Sequence, residues 1–570
     1  MGVLVTMYSL RVAQIKPKLD LDDPLRQPRL LAAAYVLYGL VATVFLAINM
    51  PPFQNPDEPN HFLRAAQLAD GGLLGTRFST TGADGLSHLT AGGLADPAIL
   101  MALAPFNALP FHFDRRATRA MWEPRVHWSG ERVMQAYPNT VNYPPFFYAP
   151  SAIGVLVGRV AKMTVVETLE VSRVMTGMAA VAVGAAAIAC AGGAAVWIFM
   201  ILTLPMSLSL IASSSQDGLL LACSALAGAL VVRALRWPSN SNWKLLAGLV
   251  VTLGLVAMAR PPYGALALLP LGLTKLQLRW RILAAAAIVG CVAVWSGITA
   301  ATALTNFGEF KGSDPVAQMA YLLRDPFLFV HVVRETLVQY WRYYLTEFVG
   351  QLGWLDVALP RGYHAAAHVM LGIAALAAML GLRGERISAS SCSIIAAGLM
   401  VSVVGLFAIQ YMTWTVPGRV TVDGVHGRYF LPLALVGTGL LPAFGNKRLR
   451  QLHDFLMAAV VAFPGICHEC SSASLLSRLT ILRVFPTATP MPKVRCHRHQ
   501  LRVLGTSRAP SATCAARSPA KRASRRCSKP VARPIPAAAP ENGNAVPNKK
   551  GLPNWQPACF DVTEGRSVWH

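Results

Sequence analysis

The chain is dominated by unbroken apolar runs, each about the length needed to cross a lipid bilayer. A spanning helix needs about 20 mainly apolar residues, with a range of roughly 17–25. Runs at 31–49, 172–190, 193–211, 218–235, 281–303, 365–381, 392–412 and 427–445 meet that requirement. The stretch 244–274 is also apolar but is broken by Arg260-Pro261-Pro262, and it reads as two short spans around a turn. The expected fold is therefore an all-α membrane protein with about ten transmembrane helices. Composition agrees. Only 14% of the 570 residues are charged, against roughly 25% in soluble domains. That deficit argues against a soluble enzyme, and the apolar runs exclude disorder for most of the chain. About 30 polar and mixed residues precede the first run, and no clear small-residue cleavage site follows it. It reads as an uncleaved anchor.

The net charge of +24 is unevenly spread: residues 446–570 hold 20 Lys/Arg against 5 Asp/Glu, which is +15 of the total. This Pro- and Cys-rich tail is expected to be disordered. Its Cys467-x-x-Cys470, with Cys496, His497 and His499, lacks the regular second pair of a zinc site. Nucleic-acid binding through its basic residues is not expected, since the Arg- and Pro-rich composition fits a low-complexity segment. Cys190, Cys223, Cys291 and Cys392 lie in apolar runs and act as small hydrophobes. No disulfide framework is required.

Sidedness follows from Lys and Arg, which are retained in short inside loops. Arg11, Lys16, Lys18, Arg26 and Arg29 place the N-terminal segment 1–30 in the cytoplasm. Clusters at Arg233/Arg236/Lys244, Lys275/Arg279/Arg281, Arg383/Arg386 and Lys447/Arg448/Arg450 also belong inside. Within the membrane domain, 31–445, two large loops then face outward, 51–171 and 304–364. Parity is kept if 144–162 lies along the outer surface, as its Pro144, Pro145 and Pro150 suggest. It is kept equally if 144–162 spans and 172–211 crosses once with a re-entrant turn. Residues 325–349 carry apolar and aromatic positions at helical spacing, the pattern of an interfacial helix.

Four places could carry chemistry. Asn55-Pro56-Asp57-Glu58-Pro59-Asn60-His61 follows the first run. Adjacent carboxylates can hold a divalent metal, magnesium or manganese, or one can act as a general base while the other orients. A helix N-cap would explain one acid, though not a second acid and an imidazole together. Asp217, in Ser213-Ser214-Ser215-Gln216-Asp217-Gly218, is a second outward acid that could equally cap the following helix. Arg260 and Arg428 sit at the ends of apolar runs. Either they snorkel to the interface or their planar forks grip a phosphate.

These same blocks, NPDEPNH, YPP at 143–145, SSSQDG at 213–218 and GVHGRYFLPL at 424–433, resemble a bacterial family of polytopic membrane proteins catalogued as domain of unknown function 2142. The resemblance covers about residues 25–445, and DEPNH and GRYF are its most specific parts. That family looks like the C-superfamily (GT-C fold) glycosyltransferases, which take a sugar from a polyprenyl-phosphate carrier outside the membrane. The resemblance implies surface helices in the first outer loop. It also implies catalytic acids there and in the second outer turn, here Asp57, Glu58 and Asp217. His61, Arg260 and Arg428 would bind substrate, and Asp57 and Glu58 would be the metal ligands if a metal is used. The implied partners are a lipid-linked sugar donor and membrane lipids, in the bacterial cytoplasmic membrane. Beyond about 445, where the family would have further spans, the basic tail follows instead. Two other functions share these features: a transporter or flippase of a lipid-linked glycan, and a structural subunit of an envelope-assembly complex. Transport favours acids in mid-span, whereas these acids lie in loops.

Overall fold

A computed structural model describes residues 26–81, 87–112, 115–237, 243–306, 312–325, 327–444 and 447–478. The zinc-site candidates Cys496, His497 and His499 fall outside these residues, as do the side chains of Cys467 and Cys470.

The fold is helical. Six of its helices are long and apolar enough to cross a membrane. They are α1 (Arg26–Asn49), α5 (Val165–Cys190), α8 (Asp217–Arg236), α10 (Leu278–Thr302), α13 (Arg361–Gly381) and α14 (Ala389–Thr413). In order between these lie α2 (Glu58–Ala69), α3 (Ala98–Leu103), α4 (Ala149–Val160), α6 (Ala195–Leu202), α7 (Pro205–Ile211), α9 (Trp243–Ala259), α11 (Pro315–Arg324) and α12 (Leu328–Val349). The last helices are α15 (Leu431–Val436) and α16 (Arg450–Arg478). The candidate crossings rise to eight if each of two bent pairs counts as one.

About ten spans were expected, and proline explains the difference. Proline lacks an N–H and clashes with the preceding turn. Pro205 starts α7, so 193–211 is a pair bent by 79° rather than a straight span. Arg260-Pro261-Pro262 ends α9 after 17 residues, and Pro261–Gly272 continues as a 3-10 segment. Pro432 opens α15, and 427–440 is a chain of short pieces.

Helix α8 is buried along most of its length and forms the centre of the bundle. Its small residues permit this. A Cβ on Gly228 would lie 2.0 Å from the Leu435 carbonyl oxygen, so only glycine lets the α15 backbone come this close. The two main apolar clusters meet at α8, one built with α1, α5, α6 and α13, the other with α9, the 3-10 segment and α14.

Loop one is a folded unit with its own core of Phe53, Phe62, Ile99, Phe106, Tyr137 and Leu169, among others. It contains α4, a twelve-residue helix in the region expected along the membrane surface. It also contains an antiparallel sheet not foreseen from the sequence: β1 (Thr76–Thr81), β2 (Ser87–Ala95) and β3 (Val133–Ala136), with Thr76 opposite Gly92 and Gly92 opposite Ala136. Asp70, just past α2, ties the unit together through a bidentate pair with Arg159 at 2.7 and 3.2 Å. In loop two, β4 (Gln351–Leu352) and β5 (Val357–Ala358) form a small hairpin after α12.

The tail departs from expectation over its first part. Residues 450–478 are helical, and Leu456, Val460 and Phe463 are buried, with Phe463 stacked on Tyr363 of α13. A stretch too short to span can still bury one face against a neighbouring helix.

Candidate functional site

The four places read from the sequence attach to matching ends of the helices. Asp57 follows α1, Asp217 opens α8, Arg260 follows α9, and Arg428 lies in the 3-10 turn Gly427–Phe430 between α14 and α15. The bent pair α6–α7 returns the chain to the end at which α5 began, which brings the serine turn 213–215 beside the start of α2: the Ser214 amide donates to Glu58 at 3.2 Å.

The two adjacent acids have separate surroundings. Glu58 is fully buried in an ion pair with Arg173 of α5, whose Nε donates to Oε1 at 2.8 Å and Nη2 to Oε2 at 2.5 Å. Asn55 Nδ2 adds a bond at 3.1 Å. Arg173 also donates to the carbonyl of Ala47, in the last turn of α1 where helical partners run out, and to those of Met50 and Pro51 just beyond it. Burial raises the Glu58 pKa, but the Arg173 charge and the converging hydrogen bonds more than reverse this and hold it below the usual carboxylate range. Sequence reading did not single out Arg173. The available signal was an ionisable residue inside an apolar run.

Asp57 points elsewhere. It occupies the N-cap position of α2, with Pro59 in the first turn, yet its side chain makes no cap hydrogen bond. Its φ of +56° is in the left-handed region, uncommon for a residue other than glycine. Its carboxylate is 39% exposed. Oδ1 accepts from Asn139 at 3.2 Å, and Oδ2 lies 3.6 Å from Arg428 Nη2. Asn139 is itself held by Asn60, at 2.8 Å. Such backbone outliers collect at functional sites, where the surrounding structure holds them.

Asp217 does not cap α8 either. It is the first helical residue, and its carboxylate accepts from Arg260 Nη2 at 2.9 Å. The serine turn before it is a closed network: Ser213 and Ser215 hydroxyls meet at 2.7 Å, Ser151 and Ser214 at 2.5 Å, and the Asp217 amide donates to Ser215 Oγ. Arg260 and Arg428 both lie over the Tyr429 ring, at 4.2 and 5.5 Å from its centroid. Tyr263 fixes the Tyr429 carbonyl by a 2.6 Å hydrogen bond.

His61 completes the group. Its ring stacks on Tyr143 and Tyr148, and its Nδ1 is 2.6 Å from the Tyr148 hydroxyl. Burial lowers its pKa against the smaller upward pull of Asp217 and Asp57, so the imidazole is neutral at neutral pH. The acids and arginines that act on His61 are Asp217, Asp57, Arg428 and Arg260, which places all five in one electrostatic neighbourhood.

Two features show what the cluster can do. Arg428 is nearly fully buried, and its Nε and Nη1 meet no hydrogen-bond partner among the described residues; nor does Arg260 Nε. Buried guanidinium donors are normally satisfied, so these suit an anion entering the cluster. The two adjacent acids, in contrast, are turned to different partners. Glu58 has both oxygens engaged by Arg173, and among the described residues no three His, Cys, Asp or Glu side chains converge as ligands.

Fold and site together define a helical membrane protein with a charged cluster at one end of its bundle. The chain belongs to the family described as predicted membrane protein (DUF2142), whose model matches residues 40–436. No curated protein and no solved structure matches it.

Proposed function

We propose that the protein is a glycosyltransferase of the bacterial cytoplasmic membrane, with its N-terminus inside, that moves a sugar from a polyprenyl-phosphate carrier to an acceptor on the outer face. The observation that carries this reading is the convergence of two acids with two incompletely satisfied arginines. Arg428 and Arg260 bind the carrier phosphate through their unmet N–H groups, stabilising charge that develops on the leaving oxygen. Asp57, the more exposed acid, takes the proton of the acceptor hydroxyl as that oxygen attacks the anomeric carbon. The bond from the anomeric carbon to the phosphate oxygen breaks, and its electron pair leaves with the lipid phosphate. Asp217 orients Arg260, and neutral His61 offers a hydrogen bond to the sugar or acceptor. Glu58 holds the loop against α5 and takes no part in proton transfer. No step requires a metal held jointly by Asp57 and Glu58. A transporter reading gains nothing from these positions, because the acids sit at helix ends beside loop one.

Transfer of a labelled sugar from polyprenyl phosphate, measured in proteoliposomes, tests the assignment. Asp57→Asn is expected to lower turnover at least about 100-fold, the scale of a lost general base, and Asp217→Asn to lower it as Arg260 loses the carboxylate that orients it, both with normal insertion. Turnover close to wild type in both variants would remove these acids from the reaction.

A further inference from the structure

Glu347, near the end of α12 in loop two, is a buried acid that the reaction above leaves unused. Its Oε2 accepts the Gly427 amide at 2.5 Å, and its Oε1 lies 3.0 Å from His426 Nδ1. Tyr343, one turn earlier on α12, also hydrogen-bonds to it. The two residues it holds immediately precede Arg428. A Cβ on Gly427 would fall 2.1 Å from the Tyr344 carbonyl oxygen and 2.8 Å from Glu347 Cβ, so the turn is seated directly on the helix backbone. The Tyr344 ring packs edge-on against Phe430, at 5.8 Å, on the other side of Arg428.

Arg428 itself is weakly fixed through its side chain. Its nearest acid, Asp57, is 3.6 Å away, beyond an ordinary hydrogen bond. Its direction is therefore set by where its backbone sits. We propose that Glu347 is the positioning residue for Arg428: by holding the amide and imidazole just before it, Glu347 aims the unmet guanidinium donors at the phosphate. The proposal rests on the reading of the cluster as a phosphate site and adds loop two to it. A carboxylate suits this role because hydrogen bonds to a charged acceptor are about twice as strong as neutral ones.

The full-length protein in detergent, titrated with farnesyl phosphate as a short prenyl phosphate, gives the test. Glu347→Ala is expected to weaken binding about tenfold when Arg428 is present. In an Arg428→Ala background the same change should move affinity less than about twofold, because residues acting through one another are not additive. If Glu347→Ala is poorly folded, Glu347→Gln replaces it in the same cycle, with an expected loss of about threefold, since the amide keeps one acceptor and loses the charge. Equal losses in both backgrounds, or no loss with Arg428 present, would overturn the proposal. Hydrogen exchange over 424–430, without any ligand, separates this result from the phosphate reading. If the wild type does not bind farnesyl phosphate, the phosphate reading fails. Faster exchange at Gly427 in the variant then still supports the hold on the turn, and unchanged exchange overturns it.

Discussion

Glu58→Gln should destabilise the protein, whereas Asp57→Asn, one residue away, should not. Glu58 receives two N–H groups from Arg173, one from the Asn55 side chain and one from the Ser214 amide, all in a dry environment. Glutamine keeps the shape but places an N–H₂ where one oxygen accepted, and it leaves the Arg173 charge uncompensated. Breaking a buried pair by removing one partner costs about 3–5 kcal/mol. Three backbone carbonyls still hold Arg173, so the lower end of that range applies, about 3 kcal/mol. Asp57 is 39% exposed and its ion contact is long; pairs of this kind contribute at most about 1 kcal/mol. Thermal unfolding of the purified variants in one detergent, followed by tryptophan fluorescence, compares them directly. A Glu58→Gln midpoint equal to wild type would refute the view that this pair staples loop one to the bundle. A large fall for Asp57→Asn would refute the division of roles between the two acids.

Two further outcomes follow from the same structure. Glu58 has its folded pKa below the ordinary 4.5, so its stabilising contribution is fully present above that value and is lost as pH falls through the folded value. The gap in unfolding midpoint between wild type and Glu58→Gln should therefore be constant from pH 7 to about 5 and shrink below about 4.5; a gap that widens in acid would reverse the sign of the argument. A stop after Arg450 should lower the midpoint, since it removes buried Leu456, Val460 and Phe463, each contributing about 1.5–3 kcal/mol when fully buried. A stop after Arg478 should leave it unchanged, and equal midpoints for the two truncations would show that α16 contributes nothing.

The membrane-helical class and the positions of the charged cluster were legible in the sequence; the number of spans was less so. NPDEPNH, SSSQDG and GRYF stood out because charged residues are rare beside apolar runs. Asp57, His61, Asp217 and Arg428 from these motifs, with Arg260 from the Arg260-Pro261-Pro262 break, come together across 371 positions of chain, from 57 to 428. What was not legible depends on distant partners. Asp57 and Glu58 look equivalent in sequence. Distant partners separate them: Arg173, 115 residues away, holds Glu58, while Asn139 and Arg428 face Asp57. Asn139, Tyr148 and Glu347 carried no signal of their own, because their meaning lies in what they hold. Span counting failed at Pro205, Pro261 and Pro432, where apolar composition persists but the backbone turns. The β1–β2–β3 sheet was hidden because its strands lack alternation: five of the six residues of Thr76–Thr81 are exposed, and β2 buries the consecutive run Ala91, Gly92 and Gly93. The tail helix was missed because length was judged against a bilayer and not against the side of α13.

The most direct test of the central claim is a cryo-EM structure of the full chain in a lipid nanodisc with a prenyl phosphate bound. Phosphate density is expected within hydrogen-bond distance of Arg428 Nε or Nη1 and of Arg260, with Asp57 facing the same space and Glu58 still paired to Arg173. Phosphate bound elsewhere, with the Arg428 and Arg260 groups turned away from it, would contradict the account.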